Sequence, residues 1–281
     1  MKETSKGLSK AEVLPLLQEA IRAALLAGEE ILRIYGSDFE VGFKSDESPL
    51  TEADKNAHHI IVASLAPAAI PIISEEGLQI PYTERKNWNL LWIVDPLDGT
   101  KEFVKRNGEF TVNIALVENQ FPVMGVIYQP VTRLLYFAAQ SIGAFRYDQA
   151  RSSEETARII EQARTLPLPV SARSFTIAAS RSHPGAKTDM YIQQLAREHP
   201  GMQVSYAGSS LKFCLVAEGI ADIYPRMTPT QEWDTAAGQA IIECAGGMVI
   251  DGETGKRMRY NRENQLNGSF IAHAASKVLS F

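Results

Sequence analysis

Apolar residues near the start of the chain recur every three or four positions between residues 14 and 35. This period places them on one face of a helix, which we predict to begin near Pro15 and to end at Gly36. A short extended segment over residues 39–43 is expected to follow. The first part of the chain is therefore predicted to be a long amphipathic helix that packs on a core.

The next stretch predicts one more helix and the first buried strand. Thr51 and Asp54 have the three-residue spacing of a capping box, which predicts a helix that ends at Leu65. Residues 70–73 form a short apolar run that leads into Ser-Glu-Glu. Residues 89–94 form another apolar run, bounded by Asp-Pro, and we interpret it as a buried strand.

The apolar pattern is interrupted by a polar stretch near the middle of the chain. Residues 151–174 are polar and contain two prolines, with a short helix expected after Ser152 and Glu155 in its capping pattern. We predict a domain boundary there, with an N-terminal α+β domain over residues 1–172 and a C-terminal α/β domain over residues 173–281. The further elements predicted by β-branched, aromatic and helical patterns are strands at 110–117, 122–128, 134–138, 175–179, 203–206, 221–224, 248–250 and 269–272, and helices at 189–198, 209–218 and 235–245.

Composition excludes several classes of protein. The 281 residues are 45% hydrophobic and 22% charged, which is enough apolar material for a folded core. The 33 acidic residues outnumber the 28 basic ones, so no basic excess favours a nucleic-acid polymer as partner. The weakly polar residues 60–73 are too few to cross a bilayer, and the first ten residues lack an apolar signal core. We expect a soluble, cytoplasmic protein.

Cysteine and histidine give no sign of a disulfide framework or a zinc site. Cys214 and Cys244 each lie in an apolar helical pattern, so we expect buried, reduced thiols. The histidines lack the spacing of zinc ligands.

Carboxylates, in contrast, occur where predicted strands end or helices begin, and such ends are where sites are built on rigid scaffolds. Taken singly, each could be only a helix cap or a turn. The positions are Asp54, Glu75 with Glu76, Asp95 with Asp98, and Glu232 with Asp234.

The loop after Val94 is the most specific of these places. It carries two aspartates three residues apart, Gly99 can adopt positive φ, and Thr100 can open a helix with free N–H groups. Oxygen donors of this kind are the ligands that Mg²⁺ prefers. The sequence therefore predicts a magnesium site that also accepts an anion.

Three motifs reveal a family resemblance. The segments Trp-Ile-Val-Asp-Pro-Leu-Asp-Gly-Thr-Lys-Glu-Phe from Trp92, Ser-Glu-Glu-Gly from Ser74 and Glu-Trp-Asp-Thr-Ala-Ala-Gly from Glu232 occur in one order along the chain. Together they resemble the lithium-sensitive, magnesium-dependent phosphatases of the inositol monophosphatase superfamily. This resemblance covers nearly the whole chain, and it implies a layered sandwich of alternating helices and sheets, α+β followed by α/β. The active site would lie between the two portions.

Further segments resemble the CysQ-type branch of that superfamily, the 3′(2′),5′-bisphosphate nucleotidases. They are Lys101-Glu102-Phe103 after the second motif, Ser-Arg-Ser-His at residues 180–183, and Gly-Ser-Ser-Leu-Lys at residues 208–212. A bisphosphate has a second dianionic group that cations and hydroxyls must bind. The residues that the resemblance implies for this contact are His183, Ser209, Lys212 and Arg226.

The resemblance also implies roles around the reacting phosphate. Asp54 and Thr100 would form a relay that activates water, and the amides of Gly99 and Thr100 would hold the phosphate, while Glu76 would support the metal site indirectly. Two or three Mg²⁺ ions would bind to Glu75, Asp95, the carbonyl of Leu97, Asp98 and Asp234. All of these except Asp95 would also contact the substrate, and Glu75 would be catalytic as well.

The reaction that the resemblance implies is hydrolysis of adenosine 3′,5′-bisphosphate to AMP and phosphate, linked to sulfate assimilation. An inositol monophosphatase or a broad sugar-phosphate phosphatase is the alternative enzyme, and a catalytically dead regulator is the alternative of another class. The expected partner is a small molecule. A monomer and a homodimer both remain open, as does peripheral attachment to the cytoplasmic face of the inner membrane, where some relatives are reported.

Overall fold

The computed structural model describes residues 7–43, 49–169, 171–180 and 185–275. The helices are α1 (Lys10–Tyr35), α2 (Glu52–Leu65), α3 (Tyr82–Arg85), α4 (Thr100–Val104), α5 (Thr156–Gln162), α6 (Ala186–Glu198), α7 (Leu211–Ala217) and α8 (Ala236–Cys244). The strands are β1 (Gly42–Phe43), β2 (Pro49–Leu50), β3 (Ile72–Ser74), β4 (Leu90–Asp98), β5 (Thr111–Glu118), β6 (Phe121–Gln129), β7 (Leu134–Ala139), β8 (Gly143–Tyr147), β9 (Arg164–Thr165), β10 (Thr176–Ser180), β11 (Gln203–Ala207), β12 (Ile223–Arg226), β13 (Thr230–Gln231), β14 (Met248–Asp251), β15 (Leu266–Asn267) and β16 (Phe270–His273).

A seven-stranded sheet holds β3 to β9 in chain order. Its first pair is parallel and the others are antiparallel. Side chains alternate between its two faces, as the two-residue period of a strand requires. Trp92 and Val94 pack on the face toward α1 and α2, whereas Leu91 and Ile93 pack on the face toward α7 and α8.

A five-stranded sheet has the order β11-β10-β12-β16-β14, with parallel strands at the β11 end and antiparallel strands at the other. Helices α7 and α8 pack on its inner face, and α6 covers the outer face, where Ile177, Ile223 and Leu195 form a small core. The layers therefore run helix, sheet, helix, sheet, helix. This confirms the predicted layered sandwich.

The second sheet and the central helices share one core with the first sheet. Gly125 of β6 lies against α8 so closely that an added Cβ would be 2.4 Å from the carbonyl oxygen of Ala237. Glycine is therefore needed for this contact. Because α8 follows residue 173 and packs on the first sheet, both portions build the central layer, and the division at residues 172 and 173 stays a prediction.

Several predicted element bounds were wrong. Helix α1 begins five residues before Pro15, because the carboxylate of Glu12 accepts a hydrogen bond from the Ser9 N–H (2.8 Å) and caps an earlier start. Only Gly42–Phe43 of the extended segment is a strand. Glu155 is itself the residue before α5, rather than the third residue inside it.

Both cysteines were predicted to be buried, reduced thiols, and this prediction is confirmed fully for Cys214 and in part for Cys244. Cys214 is buried and Cys244 is half-buried, and both are free.

Candidate active site

Strand β4 carries the first two aspartates to the edge of the core. Its pairing with β5 shifts register between Asp95, which pairs with Asn113, and Asp98, which pairs with Thr111. Oδ1 of Asp95 accepts a hydrogen bond from the Leu97 N–H (3.1 Å). Gly99 then adopts φ +92°, and Thr100 begins α4. The predicted loop after Val94 was therefore wrong: residues 95–98 are the end of strand β4, and Gly99 alone separates them from α4.

Three carboxylates from two distant parts of the chain meet at this edge. One oxygen from each of Asp95, Asp98 and Asp234 lies within 4.8 Å of the others. Asp234 ends a 3₁₀ turn after β13, and its Oδ2 accepts a hydrogen bond from the Gln231 N–H (2.8 Å). Glu75 follows β3, the parallel neighbour of β4, and lines the adjoining cleft.

The electrostatics of this cluster suit a divalent cation. Burial, followed by the charges of Glu75 and Asp98, raises the pKa of Asp95 well above its usual range. Burial and the charge of Asp98 raise the pKa of Asp234 to about 8. No arginine or lysine of the described residues forms an ion pair with the three carboxylates. The donors are all oxygens, so the cluster fits Mg²⁺.

Asp54 lies beside this cluster and faces the start of α4. Its Oδ2 accepts two hydrogen bonds from Thr51, from the N–H (2.8 Å) and from the hydroxyl (2.7 Å). Its Oδ1 accepts a hydrogen bond from the Thr100 hydroxyl (3.1 Å), which also lies 3.4 Å from the carbonyl oxygen of Leu97. Burial raises the pKa of Asp54. The predicted pair is therefore in direct contact.

A cleft of about 260 Å³ opens over the carboxylates and extends along the five-stranded sheet. Its lining includes the cations Lys212 and Arg226 as well as Gly99 and Thr100. The cleft thus brings together most of the predicted substrate residues: Glu75, Asp98, Gly99, Thr100, Ser209, Lys212, Arg226 and Asp234. Leu97 is a buried side chain beneath it. The predicted contact of His183 lies outside the described residues.

Lys212 is more constrained than a surface cation. Its Nζ donates hydrogen bonds to the carbonyl oxygens of Ser209 (2.5 Å) and Ala207 (3.4 Å) and lies 5.4 Å from the ring centre of Tyr224. Burial lowers its pKa to about 8. Two of its three N–H donors are thus directed at the backbone, which leaves one for a ligand.

Three side chains surround Asp98, and the sequence predicted a role for only one of them. Its Oδ2 accepts hydrogen bonds from Ser209 (2.7 Å), Ser210 (2.7 Å) and Asn113 (3.2 Å). Ser209 was expected to bind substrate, whereas Ser210 and Asn113 had no predicted function. A polar residue inside the apolar run of β5 was the signal available for Asn113.

None of the helices in the described part of the chain combines the length and the apolar character that a membrane span needs.

Comparison with known proteins agrees with this geometry. The model of the inositol monophosphatase family matches residues 12–278. The 3′(2′),5′-bisphosphate nucleotidase CysQ of Salmonella typhimurium is 43% identical over 260 residues, covering 91% of this chain and 98% of that protein. The CysQ of Shigella flexneri is 44% identical over 263 residues, with the same coverage.

A solved structure of a related protein has the same fold as this chain. The crystal structure of CysQ from Bacteroides thetaiotaomicron, a bacterial member of the inositol monophosphatase family, superimposes with a TM-score of 0.86 at 48% identity. The match covers 93% of this chain and 97% of that one. The chain therefore belongs to the inositol monophosphatase family.

Proposed function

We propose that this protein is a magnesium-dependent 3′(2′),5′-bisphosphate nucleotidase that releases the 3′-phosphate of adenosine 3′,5′-bisphosphate and leaves AMP. One observation carries the proposal: a single cleft is lined both by carboxylates of the cluster, Asp98 and Asp234, and by the cations Lys212 and Arg226. The relatives named above as CysQ nucleotidases support the same substrate class.

Magnesium belongs to this proposal because the family is magnesium-dependent and the acidic cluster fits the ion. Asp95, Asp98 and Asp234 would hold it, together with Glu75 and the carbonyl of Leu97, and we propose two or three ions. Bound Mg²⁺ supplies polarisation of the phosphoryl oxygens and a lowered pKa of coordinated water.

Asp54 and Thr100 orient and deprotonate the attacking water in this proposal. Because Thr51 holds Oδ2 of Asp54 with two hydrogen bonds, Oδ1 is fixed toward the Thr100 hydroxyl. Thr100 passes its proton to Asp54 while its own oxygen accepts a proton from water. The amides of Gly99 and Thr100, at the turn into α4, hold the reacting phosphate.

The second phosphate distinguishes the proposed substrate from an inositol monophosphate. Arg226 and the remaining N–H of Lys212 supply charge-assisted hydrogen bonds to a dianionic group. The Ser209 hydroxyl, predicted for the same contact, donates its proton to Asp98 instead. Inositol 1-phosphate offers no second group for these donors. The cleft therefore favours a bisphosphate.

Several finer properties stay predictions from sequence. They are inhibition by lithium, a role in sulfate assimilation, a cytoplasmic location with or without contact to the inner membrane, and a monomeric or dimeric state.

The test is to incubate the protein with adenosine 3′,5′-bisphosphate and Mg²⁺ and to identify the products by ³¹P NMR. We expect 5′-AMP and inorganic phosphate, with no reaction in EDTA or with Asp98→Asn. Glu161→Gln, which neutralises an exposed carboxylate on α5, is the matched control and should retain full activity. Formation of 3′-AMP, or no phosphate release, would overturn the proposal.

A further inference from the structure

We propose that Ser209, Ser210 and Asn113 are positioning residues that hold the Asp98 carboxylate in the orientation in which it binds the cation. The identity of the cation rests on the proposed function, but the orientation of Asp98 rests on the contacts below. None of the three side chains needs to contact the ion or the reacting phosphate for this role.

The three donors converge on one oxygen of Asp98. The hydroxyls of Ser209 and Ser210 each lie 2.7 Å from Oδ2, and Nδ2 of Asn113 lies 3.2 Å from it. Among the described residues, no hydrogen bond to Oδ1 is formed. Three donors on one oxygen fix the plane of the carboxylate and leave Oδ1 as the oxygen that faces a cation.

The donors are themselves fixed by one another. Asn113 and Ser210 are only 1% and 2% exposed, and Asn113 Nδ2 also donates to the Ser210 hydroxyl (2.9 Å). The hydroxyls of Thr111 and Ser209 lie 2.6 Å apart. Because buried polar groups must keep their partners, this network resists rotation of any single member.

The turn that carries the two serines is held from both sides. The Gly208 N–H donates to the carboxylate of Glu109 (2.9 Å), and Lys212 Nζ donates to the Ser209 carbonyl (2.5 Å). A Cβ at Gly208 would lie 2.8 Å from the backbone oxygen of Glu109, so the turn approaches the segment before β5 too closely for any side chain there. Ser209 is held at φ +50° by these contacts.

Ser210 also joins two of the three carboxylate-bearing segments. Its hydroxyl lies 2.7 Å from Asp98 Oδ2 and 3.0 Å from the backbone oxygen of Asp234. A displacement of Ser210 would therefore change the distance between Asp98 and Asp234. Such partners of metal ligands set the affinity for the ion rather than the chemical step.

Ser209→Gly is the sharpest variant, because glycine keeps the left-handed backbone while the hydroxyl is lost. Gln149→Gly is its matched control: Gln149 also has positive φ (63°), is exposed, and lies in the β8–α5 connection away from the site. The readout is the Kd for Mg²⁺ measured by isothermal titration calorimetry without substrate. We expect Ser209→Gly to weaken Mg²⁺ binding about 10- to 100-fold and Gln149→Gly to leave it unchanged.

Ser210→Ala is the second variant, checked for folding by circular dichroism, and we expect it to weaken Mg²⁺ binding to a similar degree. In both variants kcat should recover as Mg²⁺ is raised, since the ligand itself is intact. A wild-type Kd for Mg²⁺ in folded Ser209→Gly would overturn the proposal, whatever Ser210→Ala does. Because the titration contains no substrate, its result is independent of whether the protein hydrolyses a bisphosphate nucleotide.

Discussion

The hydroxyl of Thr100 donates a hydrogen bond of 3.1 Å to Oδ1 of Asp54, although the two residues are 46 positions apart. This contact joins the first turn of α2 to the first turn of α4. Local structure fixes the position of each residue. Asp54 completes the capping box of α2 with Thr51, and Thr100 begins α4 directly after Gly99, which has a left-handed backbone. One carboxylate therefore both caps α2 and accepts the Thr100 hydrogen bond that the proposed relay requires.

Removing the charge or the hydroxyl of this pair should slow the chemical step. We expect Asp54→Asn and Thr100→Ala to lower kcat by about 100- to 10,000-fold, with little change in KM, because proton transfer in the transition state is lost. Thr100→Ser, which keeps a hydroxyl, should restore most of the rate. Steady-state kinetics at saturating Mg²⁺ provide the measurement, and equal rates for Thr100→Ala and Thr100→Ser would contradict the relay.

The raised pKa values of Asp95 and Asp234 predict a coupling between protons and Mg²⁺. At pH 7 the Asp234 carboxyl, with a pKa of about 8, is mostly protonated without metal, so Mg²⁺ must displace a proton. Calorimetric titrations at pH 7 in two buffers of different ionisation enthalpy should reveal release of at least about one proton per protein, from Asp234 and from any protonated Asp95. Heats that do not depend on the buffer would count against this coupling.

The same shifts predict how pH affects stability without metal. The folded protein retains protons that the unfolded chain, with Asp pKa near 3.8, has already released. The free energy of unfolding in EDTA should therefore fall as pH rises from about 4 to 8, the interval between the unfolded and folded pKa values of Asp234. The increase in Tm on adding Mg²⁺ should accordingly be larger at pH 8.5 than at pH 6.

Lys212 and Arg226 should determine preference for a second phosphate. We expect Lys212→Ala and Arg226→Ala each to raise KM for adenosine 3′,5′-bisphosphate about tenfold or more, because each removes a charge-assisted hydrogen bond. The KM for inositol 1-phosphate should change much less. Since the pKa of Lys212 is about 8, the wild-type KM for the bisphosphate should also rise above that pH as the cation is lost. Equal effects on both substrates would remove the specificity role.

The close contact between β6 and α8 gives a prediction about stability alone. Gly125→Ala places a Cβ 2.4 Å from the Ala237 carbonyl oxygen and should cost about 1–3 kcal/mol of unfolding free energy. Gly36→Ala is its control, because φ is −79° there and the nearest atom would be 3.5 Å away. Chemical denaturation should find that control neutral or slightly stabilising, by up to about 1 kcal/mol.

Elements with a strong local signal could be predicted from the sequence. The capping box of Thr51 and Asp54 placed α2, and the β-branched runs placed β5, β6 and β7. The strand Gly143–Tyr147 was missed because it is short, half-buried and lies near the sheet edge, where the alternation of apolar and polar residues is weak. The start of α1 was missed because Pro15 is typical of a first turn, and here it lies in the second.

The candidate site was predictable where its residues fall in motifs, and not where they depend on strand pairing. Asp95 and Asp98 could be read from one motif. Asn113 and Thr111 reach the site only because β5 is the neighbour of β4, in the register that pairs Asp95 with Asn113 and Asp98 with Thr111. A single sequence gives neither the neighbour nor the register, so the residues that surround Asp98 could be found only in the structure.

In the proposed function, one cleft combines a magnesium-binding cluster with a site for a second phosphate. The most direct measurement is the ratio of kcat/KM for adenosine 3′,5′-bisphosphate to that for inositol 1-phosphate, both in Mg²⁺. We predict a ratio of at least about 100, because only the bisphosphate engages Lys212 and Arg226. A ratio near one, or a preference for inositol 1-phosphate, would contradict the account.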